Sequence, residues 1–436
     1  PIHYRIIPHD PHAHLYRVSL HIQNPTPQGQ RISLPAWIPG SYMIRDFARN
    51  IVWLRAWQGN QEVTVKRIDK STWALGNVVG PVVVDYEVYA WDLSVRAAHL
   101  DQNHAYFNGT SVFLAVKGQE HLSCTVDIDP PAGGIGKQWR VATTLREDTA
   151  QRYGFGRYKA DNYDELIDHP VEIADFTLGD FDACGVSHEV IITGKHTADM
   201  PRLCADLKKI CEYQIRMFGE PAPYDRYVFI TWAVGDGYGG LEHRSSTSLI
   251  CCRDDLPSIK QRDRVSEGYR TFLGLCSHEY FHNWNVKRIK PAKFLPYDLA
   301  QESYTALLWA PEGITSYYDD LVLLRAGLID VKTYLEILGQ NVTRLLRNPG
   351  RLQQSLVDSS FDAWTKFYKQ DENSSNAIVS YYLKGSIVAL GLDLLLRDLA
   401  QHRLSLDSVM LTLWRDFAQR GRGVGESGIE DVTLAL

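Results

Sequence analysis

The first part of the chain alternates apolar and polar residues in short runs, a pattern typical of β-strands with one buried face. Between Tyr16 and Ile22 every second residue is apolar and the residues between them are polar, which is the two-residue period of a strand. Runs that begin at Val82 and Cys124 repeat this period, with turns rich in Gly, Pro and Asn between them. Short strands at this spacing predict a β-sandwich.

The pattern becomes helical near Asp199, after a last strand-like run that begins at His188. From Leu203 to Cys211 the apolar residues recur at helical spacing, and Gly219 is placed to end this helix. Another strand-like run extends from Tyr227 to Val234, and helical patterns dominate from there to the C-terminus.

These patterns predict an α+β protein with two domains. An all-β, sandwich-like domain over residues 1–175 is followed by a mainly helical domain with a small β-sheet over residues 176–436. The length of 436 residues agrees with this division, because one hydrophobic core seldom organises so long a chain.

Composition narrows the class of protein. Apolar residues make up 44% of the chain and charged residues 22%, which excludes a disordered or collagen-like protein. The chain carries 46 basic and 52 acidic side chains, a net charge of −6, without a cluster of Lys and Arg. We therefore expect no nucleic-acid partner.

The cysteines and the apolar runs indicate the compartment. The seven cysteines are an odd number and form no CxxC pair, so we expect reduced thiols rather than a disulfide framework. The most apolar run begins at Ser386, is interrupted by Asp393, and is too short to span a bilayer. We expect a cytoplasmic protein without membrane insertion; a removed leader stays open because the sequence begins at Pro1. The oligomeric state stays open.

The segment HEYFH carries the clearest chemistry, with His278, Glu279 and His282. On an α-helix, residues four apart share one face at about 6 Å, so two imidazoles can converge on one zinc ion at about 2.0–2.1 Å. Glu279 is about 100° away around the helix, where a general base for water belongs. The alternative is a surface helix on which these side chains have no role.

A catalytic zinc site needs a third protein ligand. In the segment LLWAPEGITSYYDDL we expect Pro311 to break the chain and Glu312 to open a new helix facing apolar residues. A buried carboxylate keeps its charge most readily beside a cation. Two alternatives stay open: Glu312 complements the helix dipole without a metal, or Glu302 is the third ligand.

Four short segments follow one another in the order that is found in gluzincin aminopeptidases: GGLEH from Gly239, HEYFH, APEGITSYY and YYLKG. The longer strings HNWNVKRIKP and PAWIPGSYMIRDFARN resemble the glycyl aminopeptidase family. Members of this family resemble aminopeptidase N, in which a β-domain precedes a thermolysin-like zinc-peptidase domain, and they typically carry a PDZ domain. No PDZ-like segment is visible here, and whether the second domain continues beyond Leu436 stays open.

The resemblance implies the metal and the base. Transferred residue by residue, it makes His278, His282 and Glu312 the ligands of Zn²⁺ and Glu279 the general base. It also implies that the substrates are peptides with a free N-terminus.

The resemblance assigns substrate binding to GGLEH. This segment is similar to the GxMEN segment of the wider clan, so Glu242 would hold the substrate's α-ammonium group. Gly239 and Gly240 would let the peptide backbone approach a strand edge closely. His243 replaces the usual Asn, and its role stays open; so does the alternative that Glu242 is only a solvated glutamate beside a turn.

Tyr382 resembles the catalytic tyrosine of the clan, because it lies three residues before Gly385. A neutral phenol can donate a hydrogen bond to a developing oxyanion. Tyr381 is one helical step away, so we expect it to face elsewhere. The alternative is that Tyr382 is an ordinary core tyrosine.

The predicted function is that of a zinc-dependent aminopeptidase, a hydrolase that cleaves the N-terminal peptide bond and prefers Gly or Ala there, as the family name implies. Two alternatives stay open. One is a thermolysin-like endopeptidase, in which Glu242 has no role in binding an ammonium group. The other is a non-catalytic peptide-binding protein with a vestigial zinc site.

Overall fold

The structure is a computed structural model that describes residues 1–261 and 264–436. Its N-terminal region is built almost entirely from strands. These are β1 (Ile2–Asp10), β2 (Leu15–Ile22), β3 (Arg31–Ser33), β4 (Ile51–Gln58), β5 (Gln61–Val63), β6 (Val65–Arg67), β7 (Thr72–Leu75), β8 (Val82–Tyr89), β9 (Ala98–Leu100), β10 (His104–Phe107), β11 (Ala115–Val116), β12 (Cys124–Ile128), β13 (Arg140–Ala142), β14 (Arg146–Glu147), β15 (Gly156–Ala160) and β16 (Val171–Ala174), with the short helices α1 (Gly109–Val112) and α2 (Tyr163–Ile167) and a 3₁₀ turn (Phe47–Asn50).

Three sheets in this region share one hydrophobic core. The strand orders are β14-β15-β12-β1-β2-β8-β4-β5, β13-β16-β10-β9 and β11-β3-β7-β6. In β2 the predicted alternation is confirmed, since Tyr16, Val18, Leu20 and Ile22 are all fully buried. The alternating side chains of each strand give these sheets one apolar face, and burying those faces together forms the core.

The second region contains a five-stranded sheet and most of the helices. Its strands are β17 (Thr177–Ala183), β18 (Val186–Thr193), β19 (Arg226–Val234), β20 (Gly239–Glu242) and β21 (Ser246–Cys252). Its helices are α3 (Met200–Phe218), α4 (Glu267–Phe281), α5 (Thr315–Arg325), α6 (Val331–Leu346), α7 (Leu356–Phe361), α8 (Ser374–Ala377), α9 (Tyr381–Leu399), α10 (Leu406–Asp416) and α11 (Gly428–Ala435). Shorter helical turns lie at Arg253–Asp255, Ile259–Gln261, Ala292–Phe294, Trp309–Ile314, Pro349–Leu352 and Ala418–Arg420.

The predicted helix around residues 200–219 is confirmed. α3 begins after Asp199, whose carboxylate accepts a hydrogen bond from the backbone N–H of Arg202, and it ends at Gly219, which has a φ of 95°. This conformation favours glycine, because a side chain would be strained there.

The expectation that helices dominate after Val234 is wrong over residues 239–252. Strands β20 and β21 lie there at one end of the sheet, in the order β17-β18-β19-β21-β20. Almost all of β21 is buried, so both of its faces are covered and its sequence, STSLICC, shows no two-residue period. The edge strand β20 is short and rich in glycine, which weakens its strand signal.

The observed architecture is α+β, as predicted: a multi-sheet β region followed by a mainly helical region with a small sheet. The boundary proposed near residue 175 stays a prediction. All seven cysteines are free thiols.

By length and composition, one segment, Ser374–Leu399, could cross a membrane. Within the fold it consists of α8 and α9, and α9 packs against α5. The buried Asp393 of α9 accepts hydrogen bonds from the hydroxyl of Tyr317 at 2.7 Å and from the backbone N–H of Leu406 at 2.7 Å. A buried, fully bonded carboxylate of this kind is typical of a helix in a protein core.

Two features of the fold position the site. Helix α4 lies between α5 on one side and the edge strand β20 on the other. The N-terminal region reaches the same place through Trp37, which is fully buried in an aromatic cluster with Phe294, Trp364 and Tyr381. The Trp37 indole N–H donates to the backbone oxygen of Asp298 at 2.8 Å. Residues from both regions therefore surround one centre.

Candidate metal centre

The end of α4 presents two imidazoles on one face, as its sequence predicts. His278 lies in the last turn of α4, and His282 follows the last helical residue while keeping a helical backbone (φ −61°, ψ −16°). The two ring centroids are 4.8 Å apart. The amide of His282 donates to the backbone oxygen of His278, so the four-residue spacing of the helix holds the pair together.

Glu312 faces both histidines. Its Oε2 atom is 3.4 Å from Nε2 of His278 and 3.3 Å from Nε2 of His282, and Glu312 is only 1% exposed. Ligand atoms at the corners of a tetrahedron with bonds of about 2.0–2.1 Å are about 3.3–3.4 Å apart. The distances from Glu312 to the two histidines are therefore those expected between ligands of one zinc ion, and all three donor atoms lie within 4.8 Å of one another.

Glu312 lies in a wide, π-helical turn, Trp309–Ile314, that leads directly into α5. The expectation that Pro311 breaks the chain and that Glu312 opens a new helix is wrong. Pro311 is tolerated because it lies in the first turn, where the missing N–H costs little. π-Helical turns of this kind occur often at functional sites.

Glu302, the rival third ligand, lies in the loop before this turn. Among residues 1–261 and 264–436, it does not belong to any group of carboxylates and imidazoles whose donor atoms converge within 4.8 Å. The carboxylate that the fold brings to the two histidines is that of Glu312.

The second nitrogen of each imidazole is also fixed. Nδ1 of His278 is 3.1 Å from Oδ2 of Asp319, and Nδ1 of His282 is 2.8 Å from the backbone oxygen of Asn285. These partners keep a proton on Nδ1 and leave the Nε2 lone pair for a metal. Our sequence analysis missed both residues. Asp319 could have been found, because it follows Glu312 by about two helical turns and so shares its face.

The electrostatics of the three donors favour a cation. Burial raises the pKa of Glu312, but His282 and His278 outweigh this effect and lower it to about 2. Burial lowers the pKa of His282, but Glu312 and Glu242 outweigh it and raise the pKa to about 9. The cluster thus attracts positive charge into a buried site, and a divalent ion can replace the protons.

Glu279 lies beside the donors with one oxygen unpaired. Within the described residues its buried Oε2 has no hydrogen-bond partner. Burial raises the pKa of Glu279 to about 7, against the lowering effect of His278. A carboxylate with a raised pKa can both accept and return a proton near neutral pH.

Strand β20 lies directly against this carboxylate. A Cβ atom added at Gly240 would lie 2.3 Å from Oε1 of Glu279, whereas one added at Gly239 would be 3.6 Å from the nearest side-chain atom, Nη1 of Arg96. Arg96, which our sequence analysis missed, donates to the backbone oxygen of Gly240 at 3.3 Å. Glycine is required at position 240 because the carboxylate occupies the space of a side chain.

Glu242 is a buried carboxylate that forms no ion pair with a Lys or Arg among the described residues. It is 3% exposed, and its Oε1 atom has no hydrogen-bond partner there. One oxygen of Glu242 lies within 4.8 Å of donor atoms of Glu279 and His282. Leaving such a charge buried is costly unless a cation meets it.

The N-terminal string around Pro35–Asn50 also reaches Glu242. A Cβ atom at Gly40 would lie 2.6 Å from both carboxylate oxygens of Glu242, and Gly40 has a φ of +93°. Our sequence analysis used this string only for the family resemblance. The structure makes it part of the site wall, since only glycine allows this contact.

His243 points away from the donors into a buried ionic network. Its Nδ1 atom is 3.1 Å from Oδ1 of Asp168, which also accepts from Nζ of Lys287 at 2.9 Å. Nε of Arg244 lies 2.9 Å from the other oxygen of Asp168. Asp168 belongs to the N-terminal region, so this network anchors the end of β20 to it.

Tyr382 lies beside His278 at the beginning of α9. The two rings are stacked, with centroids 6.2 Å apart and an interplanar angle of 22°. The hydroxyl of Tyr382 is 3.1 Å from that of Tyr368, and the hydroxyl of Tyr381 is 2.6 Å from the same atom. The expectation that Tyr381 faces elsewhere is therefore wrong for its hydroxyl, because Tyr368, which our sequence analysis missed, bridges the two phenols.

Two family models and one solved structure are similar to this chain. Residues 3–175 match the model of the peptidase M61 N-terminal domain, and residues 271–388 match that of M61 glycyl aminopeptidase. A crystal structure described as an aminopeptidase N family protein from Idiomarina loihiensis is 48% identical, with a TM-score of 0.96. That similarity covers 99% of this chain and 73% of the other. No curated protein matches this sequence.

Proposed function

Since this chain belongs to the M61 glycyl aminopeptidase family and is a peptidase, we propose that it is a zinc-dependent aminopeptidase that removes the N-terminal residue of peptides. The observation that carries this proposal is the convergence of His278, His282 and Glu312, at 3.3–3.4 Å, beside two further buried carboxylates.

His278, His282 and Glu312 would hold the ion. Two imidazole nitrogens and one carboxylate oxygen form a donor set that suits zinc, and three protein ligands leave one position open. Zinc, when bound, supplies Lewis acidity that polarises a carbonyl group and acidifies water. Asp319 and Asn285 orient the two imidazoles so that both Nε2 lone pairs point towards Glu312.

Glu279 moves the protons of the reaction. Its unpaired Oε2 atom accepts a proton from the attacking water, and the protonated carboxyl then delivers it to the departing amine nitrogen. Gly240 leaves this carboxylate the room that it needs next to β20. The scissile bond would therefore lie within reach of the unpaired Oε2 atom of Glu279.

Glu242 would bind the α-ammonium group of the substrate. A buried carboxylate that has no Lys or Arg partner is matched by the cation that every free peptide N-terminus carries. Anchoring this ammonium leaves only the first peptide bond within reach of Glu279, which makes the reaction that of an exopeptidase.

Tyr382 would stabilise the negative charge that develops on the carbonyl oxygen. Burial, with Glu312 nearby, raises the pKa of Tyr382 well above its usual value, so the phenol stays neutral and keeps its proton to donate. Tyr368 holds the Tyr382 hydroxyl in place at 3.1 Å.

A preference for Gly or Ala at the substrate's N-terminus is part of the proposal, and the family's description as glycyl aminopeptidases supports it. The substrates would be peptides with a free N-terminus.

The test combines metal content with a substrate panel. We expect one zinc ion at this centre, loss of activity with a chelator, and hydrolysis of free Gly- and Ala-initiated dipeptides that exceeds hydrolysis of their N-acetylated forms. Rapid cleavage of N-acetylated peptides would instead indicate an endopeptidase. Zinc binding without any cleavage would indicate a peptide-binding protein, and full activity in metal-free protein would refute the metal-dependent mechanism.

A further inference from the structure

A second group of metal-binding side chains lies on the hairpin formed by β9 and β10, away from the candidate metal centre. His99 and Asp101 are two residues apart and so share one face of the hairpin. His104 lies opposite Asp101, whose backbone N–H donates to the backbone oxygen of His104 at 3.0 Å. One donor atom from each of the three side chains lies within 4.8 Å of the other two.

Both imidazoles of this hairpin are buried and incompletely bonded. His99 is 1% exposed and His104 is 2% exposed. Within the described residues, Nδ1 of His99 and Nε2 of His104 have no hydrogen-bond partner, and Nε2 of His99 faces only the carboxylate of Asp101. Buried polar atoms almost always have a partner, so two such nitrogens on adjacent strands call for an explanation.

The surroundings prepare these nitrogens for a metal. Nδ1 of His104 is 2.9 Å from Oε1 of the buried Glu172, which keeps the proton on Nδ1 and leaves Nε2 as the free donor. This carboxylate–histidine arrangement is the one found behind metal ligands. Nε2 of His99 is 3.4 Å from Oδ2 of Asp101, which is the separation of two ligands on one zinc ion.

The site has fixed walls and room beside it. The ring of His99 lies between Trp91, at 4.8 Å, and Trp232, at 5.4 Å, so it has little freedom to rotate. A cavity of about 20 Å³ adjoins His99 and His104, which is enough for one water molecule.

We propose that His99, Asp101 and His104 bind a second divalent metal ion of the zinc class, separate from the centre at the end of α4. Two imidazole nitrogens and one carboxylate oxygen select such an ion over Ca²⁺ or Mg²⁺, which prefer oxygen ligands. The proposal does not depend on the peptidase activity.

The position of the hairpin indicates a structural role for this ion. Next to the metal-binding residues, the hydroxyl of Tyr106 in β10 donates to Oγ of Ser248 in β21 at 2.7 Å. Ser248 pairs with Leu241 of β20, the strand that carries Gly240 and Glu242. An ion on the hairpin would therefore stiffen the junction between the N-terminal region and the strand edge at the active site.

The experiment measures Zn²⁺ bound per chain, by titration of the metal-free 436-residue protein against a chromophoric chelator. We expect two ions in the parent and one in the His278→Ala/His282→Ala variant. Adding His104→Gln to that variant should remove the remaining ion. The control is His402→Ala, which changes an exposed imidazole and should leave the count at two.

A milder change keeps the test decisive if the His104 variants do not fold. Glu172→Gln, made in the His278→Ala/His282→Ala background, preserves the shape of the residue that contacts Nδ1 of His104. It should lower the zinc affinity of the remaining site by about 10–100-fold. The proposal is overturned if the His278→Ala/His282→Ala protein, folded by circular dichroism, binds no zinc. It is also overturned if Glu172→Gln leaves the affinity unchanged.

Discussion

The Glu242→Gln substitution is expected to remove the proposed contact between this side chain and the α-ammonium group of the substrate. The change keeps the shape of the side chain and deletes its charge, at a position only 3% exposed. At about 4 Å and an effective dielectric constant of about 20, an ammonium group and a carboxylate attract by about 4 kcal/mol. After the desolvation of both groups, the net value of such a charge-assisted contact is about 1.5–3 kcal/mol.

This energy corresponds to a loss of about ten- to a hundredfold in kcat/KM, at 1.4 kcal/mol per decade. The assay is a double cycle in which the parent and Glu242→Gln each hydrolyse a Gly-initiated peptide with a free and with an acetylated amine. Acetylation should harm the parent severely and the variant hardly further, because both changes delete the same interaction. Zinc content should stay unchanged.

Glu302→Gln is the matched control, since it makes the same chemical change in the loop before the Glu312 turn. We expect parent activity and parent zinc content from it. If the losses from Glu242→Gln and from acetylation simply add, Glu242 does not hold the ammonium group. The restriction to free N-termini would then need another cause.

Three further changes test the same centre. Glu279→Gln removes the base, so turnover should fall by at least about 10²–10⁴-fold with zinc retained; a loss below about tenfold would exclude Glu279 as the base. Gly240→Ala would place a methyl group 2.3 Å from the Glu279 carboxylate, whereas the methyl group of Gly239→Ala would be 3.6 Å from its nearest neighbour. We therefore expect kcat to fall far more in Gly240→Ala than in Gly239→Ala. Equal losses of kcat would contradict the steric argument. Gly385→Ala should lower the free energy of unfolding, measured by urea denaturation, by about 1–3 kcal/mol. Its methyl group would lie only 2.9 Å from the Cα atom of Gly313 in the facing turn. A Cβ atom added at Gly391, on the same helix, would have no neighbouring atom within 4 Å. Gly391→Ala should therefore raise the free energy of unfolding by about 0.5–1 kcal/mol. If both substitutions change the stability equally, the close contact at Gly385 is refuted.

The elements that the sequence predicted correctly are those in which neighbouring residues determine the structure. The alternation in β2 and the helical spacing between Leu203 and Cys211 are local patterns, and both elements form as expected. His278 and His282 belong to the same class, because a helix alone fixes their relative position.

The features that the sequence did not predict depend on residues far apart in the chain. Asp168 and His243 lie in different regions, and nothing in either local pattern indicates their contact at 3.1 Å. The π-helical turn around Glu312 was missed for a related reason. Its proline signals a break in isolation. The continuous path is stabilised by packing against α9 and by the Asn285 side-chain amide, which donates to the backbone oxygens of Ala310 and Pro311.

The glycines of the recognised segments acquire a common physical explanation from the structure. We expected Gly240 to leave room for a peptide backbone, but the carboxylate of Glu279 already occupies that space. Gly40 is placed in the same way against Glu242, and Gly313 lies against Gly385, with an added Cβ at Gly313 only 2.6 Å from the facing Cα atom.

Each of these glycines therefore lets its backbone approach the candidate centre more closely than any residue with a side chain could. The contact between Gly313 and Gly385 joins the turn that carries Glu312 to the helix that begins with Tyr381 and Tyr382. The distance between a metal-binding carboxylate and a candidate oxyanion donor is thus set by two backbones in contact. Backbone contacts yield less than flexible side chains do, so they can hold a catalytic geometry with the small tolerance that catalysis requires.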